Sequence, residues 1–516
     1  MILTPTVGDI YCAYCEPLQQ YAACQVTSLQ QTDGKHSQSL VSIVQLDWSG
    51  DHILQPDELA HLQPLVLSFY FWHNKLDHRF VEAAVPVQSI LIGNIPPLVT
   101  EPCQTYDTNW DIGNSLYEQR RWETIDEQVR LRFKQACSDQ GEIQIGHQMI
   151  KKNSSTLRNF NPESAAELAA LEQLYCLTQI EMDYFTPAIL PFLQKAPFVN
   201  ELHIANHDIT TLDLNQTHLT RLVLHQGGLN QLTLNRAMEF VSLTDSDNNA
   251  TTLHIDAKQS GRGLTLSVKA TLPPLTGIDQ LNALHIHRIK NIDLHDVATT
   301  YTELQQLRLW GKPGTISGLP SLVQLTSLHC LTICDLFGFT SADFPVPEQI
   351  PQLQTLWLTS LPAEAAKAIK NRYQQRSPSS IDLDISQPRK PEWLAENLHN
   401  PFRDWDGRDH IQPAVAKKAA ILYKQCLKQI RAWSQQINDS NVMTAQLVTL
   451  IETYTETFNQ MDARSAFIDT IEREQIRAAL LELLHQLQQQ LALRTTDTMD
   501  IDLQASIDVF ERTREF

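Results

Sequence analysis

The residue types that could do chemistry are present, but their spacing works against it. Cys12-Ala-Tyr-Cys15 is a lone pair of thiols at the spacing used by zinc and redox sites. Zinc needs two further ligands, and no second pair follows. A redox pair needs a helix that starts after the first cysteine. Residues 10–14 read as a strand, where positions three apart face opposite ways, so both thiols are expected to be structural. Asp47-Trp-Ser-Gly-Asp51 with Glu58 imitates a calcium loop. Its sixth position, where the sharp turn demands glycine, is His52, so a strand-to-helix turn is the better reading. Asp404, Asp406 and Asp409 surround Gly407, with Arg403 and Arg408 among them. Internal ion pairing is expected there. The alternatives are a cation site out of calcium-loop register, or a clasp in which Phe402 and Trp405 pack on the end of the preceding domain. The 18 histidines include no His-Glu-x-x-His motif, and no phosphate loop, nucleophile elbow or dinucleotide fingerprint occurs. A non-catalytic chain with no metal and no cofactor is therefore expected.

What the chain offers instead is a periodic surface. Leu202-His-Ile204, Leu222-Val-Leu224, Val241-Ser-Leu243, Leu264-Thr-Leu266, Leu284-His-Ile286, Leu307-Arg-Leu309, Leu331-Thr-Ile333, Leu356-Trp-Leu358 and Ile381-Asp-Leu383 recur at steps of 19 to 25 residues. Such a period marks a solenoid of stacked coils. Longer matches, such as Leu304-x-x-Leu307-x-Leu309 and Leu353-x-x-Leu356-x-Leu358, resemble the leucine-rich repeat family over residues 177–385. Two departures stand out: the asparagine that usually follows the strand is mostly absent, and the early coils are short.

Alternation fixes which side chains such coils display. With the leucines pointing inward, His203, Arg221, His225, His285, His287, Arg308, Trp310 and Trp357 face a concave outer surface, together with residues such as Glu201, Gln306 and Asp382. At roughly 4.8 Å per strand, His285, His287, Arg308 and Trp310 form one patch, with Trp357 two strands further on. Arg and Trp are favoured interface anchors, so these residues are the expected partner-binding set.

The coils must position that set. A second pattern falls about ten residues after the main one at 209–214 and 229–234, with Leu253-His-Ile255 and Ile292-Asp-Leu294 in similar places. Coils of about 20 residues have no room for a return helix, so extended segments on both sides are expected from 200 to 300. Later coils can hold helical turns, and residues 363–373 read as a helix. Asn161-Pro162-Glu163 signals a helix that would shield the first coil, which is expected near Leu177.

Residues 1–110 read as a small β-rich domain. Apolar runs at 10–14, 21–26 and 40–46 are broken by the Asp33-Gly34 turn signal. A short helix is expected at 56–62 and further strands at 65–72 and 85–92. Asp and Glu outnumber Lys and Arg here by 11 to 3. Val7-Gly-Asp-Ile-Tyr11, Gln20-Tyr-Ala-Ala-Cys-Gln-Val26, Pro56-Asp-Glu-Leu59 and Ile90-Leu-Ile-Gly-Asn94 resemble the immunity protein 26 family, although the usual glycine before Ala22 is missing. The resemblance implies a mostly β fold from bacterial toxin–immunity systems, acting by binding. A basic toxin domain is the partner it suggests.

A helix is expected at 124–136 and a loop at 151–156. Apolar stripes at Val415, Ala419, Leu422, Cys426, Ile430 and Trp433, and at Ile476, Leu480, Leu483, Leu484, Leu487 and Leu491, predict buried helix faces, with another helix over 442–458. The expected fold class is multidomain α+β. A β-rich domain spans 1–110, a connecting helix and loop 111–160, a leucine-rich repeat solenoid 161–390 and a helical bundle 391–516. A net charge of −19 disfavours nucleic acid as partner. No stretch suits a membrane span, and nine scattered cysteines without an export signal point to the cytosol. The expected function is protein binding, either neutralising a toxin or, alternatively, joining proteins of a larger bacterial assembly as a scaffold.

Overall fold

The computed structural model describes residues 5–31, 39–86, 88–107, 109–162, 164–244, 252–375, 381–406, 408, 410–436, 440–492 and 503–516. The chain divides into two compact units, Met1–Pro388 and Arg389–Phe516. Each has its own core.

The first unit opens with a five-stranded antiparallel sheet, in the order His78–Glu82, Ser39–Gly50, Gln20–Gln31, Asp9–Cys15, Ile90–Asn94. Alternation sends Tyr11, Cys15, Cys24 and Ile43 into one core and Ile10, Cys12, Val44 and Leu46 into another. Cys12 and Cys15 therefore lie on opposite faces. The expected strand at 65–72 is a strand only at Val66–Leu67, because the chain turns through a left-handed Tyr70 with φ 41°. Likewise, the 85–92 strand begins at Ile90, and the 56–62 helix shrinks to a 3₁₀ turn at Leu59–His61. The Asp33-Gly34 turn signal lies outside the described residues.

Two helices follow, Asn114–Glu123 and Glu127–Ala136. The sequence reading anticipated only the second. Asp126 separates them by capping it, accepting from Gln128 N at 2.9 Å and Val129 N at 3.3 Å.

Eleven strands then build one sheet, parallel throughout and in strict chain order: Thr156–Leu157, Gln179–Tyr184, Glu201–Asn206, Arg221–His225, Phe240–Thr244, Thr265–Lys269, Ala283–Asp293, Gln306–Ser317, Cys330–Phe337, Thr355–Thr359 and Asp382–Ser386. Ile180, Leu202, Leu222, Val241, Leu266, Leu284, Leu307, Leu331, Leu356 and Leu383 lie side by side in register. Two expected registers shift by two residues: Leu266, not Leu264, and Leu383, not Ile381, take the leading position. A two-residue slip preserves the strand's parity, so the outward set is unchanged.

The return side changes along the stack. Thr211–Asp213, Gln231–Thr233, Leu253–Asp256 and Leu275–Thr276 form a second parallel sheet. Helical segments replace it at Leu294–Thr300, Leu319–Gln324, Pro347–Gln349 and Ala363–Gln374. Ile292, expected on the return side, instead ends the long strand Ala283–Asp293. Between the two sides runs one apolar core from Ile145 to Ile381. Each fully buried leucine in it contributes about 1.5–3 kcal/mol. Asn235 is buried too, and it satisfies its amide by donating to Leu219 O at 2.8 Å and accepting from Ala237 N at 2.7 Å. The helix Ala165–Leu171 near the first coil is capped by Ser164 rather than Asn161, whose side chain accepts from Tyr184 N at 2.9 Å.

Two glycines allow the long strands to approach. A Cβ on Gly311 would sit 2.0 Å from Asp335 O, and one on Gly314 would sit 2.2 Å from Ile289 O. The register breaks between Trp310 and Gly314, directly beyond Trp310.

The second unit is helical: Pro391–Asn397, Pro413–Gln436, Ser440–Ser465, Thr470–Ala492 and Leu503–Thr513. The apolar stripes of its long helices form its core. Phe402 and Trp405 are fully buried inside that core beside Phe458, and Trp405 Nε1 donates to Gln475 Oε1 at 2.8 Å. The clasp reading is therefore corrected: these rings are core residues of their own unit. Arg408 pairs with Glu472 at 2.5 Å. Gly407 and Asp409 lie outside the described residues.

Truncating Leu307 to Ala removes a fully buried leucine from the middle of the stack and should cost about 2–5 kcal/mol. Gly314→Ala should destabilise as well, because its methyl meets a backbone oxygen rather than a movable side chain. Urea denaturation followed by tryptophan fluorescence would check both.

Candidate binding face

A strand displays alternate residues, so positions one, three and five of each strand line the outward face of the eleven-stranded sheet. All eight sequence-predicted residues lie on this face and are half-buried or exposed. They do not make a single site. His203 and Arg221 gather around Glu201, at 2.7 Å and 3.0 Å. The Arg221 guanidinium also covers the Phe240 ring at 3.9 Å. His225 stands at the far end of the Arg221 strand.

The second group is denser. His285 and Arg308 occupy adjacent strands at the same level. Trp310 stacks on His287, with ring centroids 4.4 Å apart and planes 8° from parallel. It meets His285 edge-on at 6.0 Å. The Gln306 amide joins the group when its nitrogen donates to His285 Nε2 at 3.0 Å and its oxygen accepts from Arg308 Nη2 at 2.8 Å. Trp357 is two strands beyond Arg308, about 10 Å away. It is 40% exposed, and its Nε1 donates to Asp382 Oδ2 at 3.0 Å.

Electrostatics divide the face. Burial holds the pKa values of His285 and His287 below the ordinary 6.5, and the Arg308 charge adds to the effect at His285. These shifts disfavour the charged imidazoles, and Arg308 and Lys269, which is in register with His287, are the cationic side chains nearby. A basic partner does not match this patch; the acidic surplus lies elsewhere on the chain.

The sequence reading missed three features. Phe240 and Lys269 follow from extending the same alternation to the ends of their strands. The third is a cleft of about 530 Å³ lined by Phe69, Tyr70, Phe71, Trp72, Lys75 and Asn200. Its signal was the aromatic run 69–72, read as part of a strand. Lys134 Nζ donates to the carbonyls of Tyr70 and Trp72 and so fixes this loop, leaving Phe71 45% exposed. Among the described residues no cluster of His, Cys, Asp and Glu could hold a metal ion, and no helix is long and apolar enough to cross a membrane.

The pKa shifts have a definite sign. With folded values below 6.5, the stability these histidines contribute is present above pH 6.5 and is lost as pH falls through their depressed values. In an NMR titration both should show midpoints below 6.5. Arg308→Ala should raise the His285 midpoint and leave that of His287 in place, since burial alone depresses it.

No protein-family model matches the chain, and neither does any curated protein. The likeness of residues 7–94 to immunity protein 26 therefore stays a matter of short motifs, without support as a domain or as a toxin-neutralising role. Among solved structures, the chain is similar to an internalin from Listeria monocytogenes, a crystal structure at 1.91 Å resolution. The two are 16% identical, the match covers 47% of this chain and 85% of that one, and the TM-score is 0.23.

Proposed function

We propose that this chain is a non-catalytic protein-binding protein whose residues 161–390 form a leucine-rich repeat solenoid, with the outward face of its sheet as the contact surface. The observation that carries the reading is the His285, His287, Arg308 and Trp310 group, with Trp357 on the same face. Each of these side chains is displayed by a strand whose alternate residues are locked into the core. Aromatic and Arg side chains held rigidly on a broad sheet suit a protein surface, where such residues supply most of the binding energy. A face spanning many strands also offers area rather than an enclosed cavity. A scaffold is the second reading. It is favoured by the helical unit, which has a core of its own and no part in the sheet.

Affinity capture from the source cell tests both. A partner retained by the intact chain and by Lys367→Ala on the return helix, but lost with the double substitution Trp310→Ala, Trp357→Ala, supports the sheet face. Recovery unchanged by the double substitution would count against it. On the scaffold reading, removing residues 389–516 should abolish a different partner and spare the first.

A further inference from the structure

The outward face has a charge pattern that composition alone would not suggest. The chain holds 59 acidic and 40 basic residues. Yet from the strand Arg221–His225 to the strand Thr355–Thr359, positions one, three and five carry no carboxylate. Those seven strands instead show Arg221, Lys269, Arg308 and the histidines. The carboxylates flank them, with Glu181, Asp183 and Glu201 on one side and Asp382 and Asp384 on the other. Arg221 is already paired with Glu201. Arg308 differs: among the described residues its guanidinium meets only the neutral Gln306 amide, on the edge formed by Nε and Nη2. A guanidinium held by one edge presents its other donors in a fixed fork, the geometry that takes a carboxylate with two parallel hydrogen bonds.

We propose that the middle of this face binds an extended, acidic segment of a protein partner, with a carboxylate on Arg308 and an adjoining side chain laid against the His287–Trp310 stack. The proposal rests on the reading of the sheet face as a protein-binding surface and adds the chemistry of the partner. Geometry also sets the segment's length. Six strand steps separate the first and last of these seven strands, about 29 Å at the spacing of paired strands; the Asp335 carboxylate, which accepts from Cys334 Sγ, lies at the edge of this stretch. Extended chain covers that in about nine residues. Beyond this span the flanking carboxylates repel further acid, so the segment is acidic at its centre and neutral or basic at its ends. Nucleic acid would also bring anionic groups to Arg308, but the flanking carboxylates and the net charge of −19 oppose a polyanion that continues past these strands.

A random nonapeptide library displayed on phage and panned against the immobilised full chain tests this, with oligothymidylate as a second probe by fluorescence polarisation. Enrichment of peptides with central Asp or Glu is expected. Their affinity should fall at least tenfold with Arg308→Ala, recover in part with Arg308→Lys, and stay within twofold with Lys367→Ala. Circular dichroism would confirm that each variant is folded. Enrichment of basic or apolar peptides that depend on Trp310 would overturn the acidic assignment and leave the binding face standing. No enrichment, or enrichment indifferent to both Arg308 and Trp310, would overturn both. Oligothymidylate bound more tightly than any peptide, and released by Arg308→Ala, would overturn the proposal in favour of nucleic acid.

Discussion

Everything displayed on the first unit's long sheet depends on one repeated burial event. In every strand but the two-residue Thr156–Leu157, two alternate apolar side chains, such as Leu307 and Leu309, pack into the core shared with the return side. Because side chains on a strand alternate strictly, burying these two obliges their neighbours Gln306, Arg308 and Trp310 to face outward. Parallel pairing in register then carries that order from strand to strand. His285 thus meets Arg308 across one strand step, although 23 positions of chain separate their strands' leading leucines, Leu284 and Leu307. The stiffness of the face is the stiffness of the core beneath it.

A second apolar core in the same unit packs beside the first strands of the long sheet. Trp122, Phe133, Cys176 and Phe198 form a small apolar core that joins the helices Asn114–Glu123 and Glu127–Ala136 to the chain just before the strands. Phe133 and Phe198 lie 4.6 Å apart by ring centroid. Tyr117 adds a hydrogen bond to Glu239 at 2.6 Å, and Asn200 donates to the Tyr70 hydroxyl at 3.3 Å. These contacts sit on the loops leading into the strands, and the N-terminal sheet and the long sheet belong to one compact unit.

Much of the fold was legible because it follows from local periodicity. The leucine pattern gave the strands, their inward faces and the change from strand to helix on the return side. The stripes at Leu480 and Leu484 gave the bundle helices. What was not legible came from choices between locally equivalent options. Leu264 and Leu266 are both leucines of the right parity, and only pairing with Val241 selects the second. Asn161 and Ser164 are both good helix caps; Asn161 is drawn off to the Tyr184 backbone. The 65–72 run is apolar enough for a strand, but Lys134 ties its second half into a turn.

By itself the sequence determined which side chains face outward, since parity along a strand is a local property that survives even a two-residue slip. Tertiary structure alone decided which outward residues become neighbours and what charge they see. Arg221 and Arg308 look alike in the repeat. Arg221 meets Glu201 across the sheet, while Arg308 meets the neutral Gln306 amide of its own strand. The carboxylate that Arg221 meets is supplied by register between strands twenty residues apart, and no local pattern encodes it.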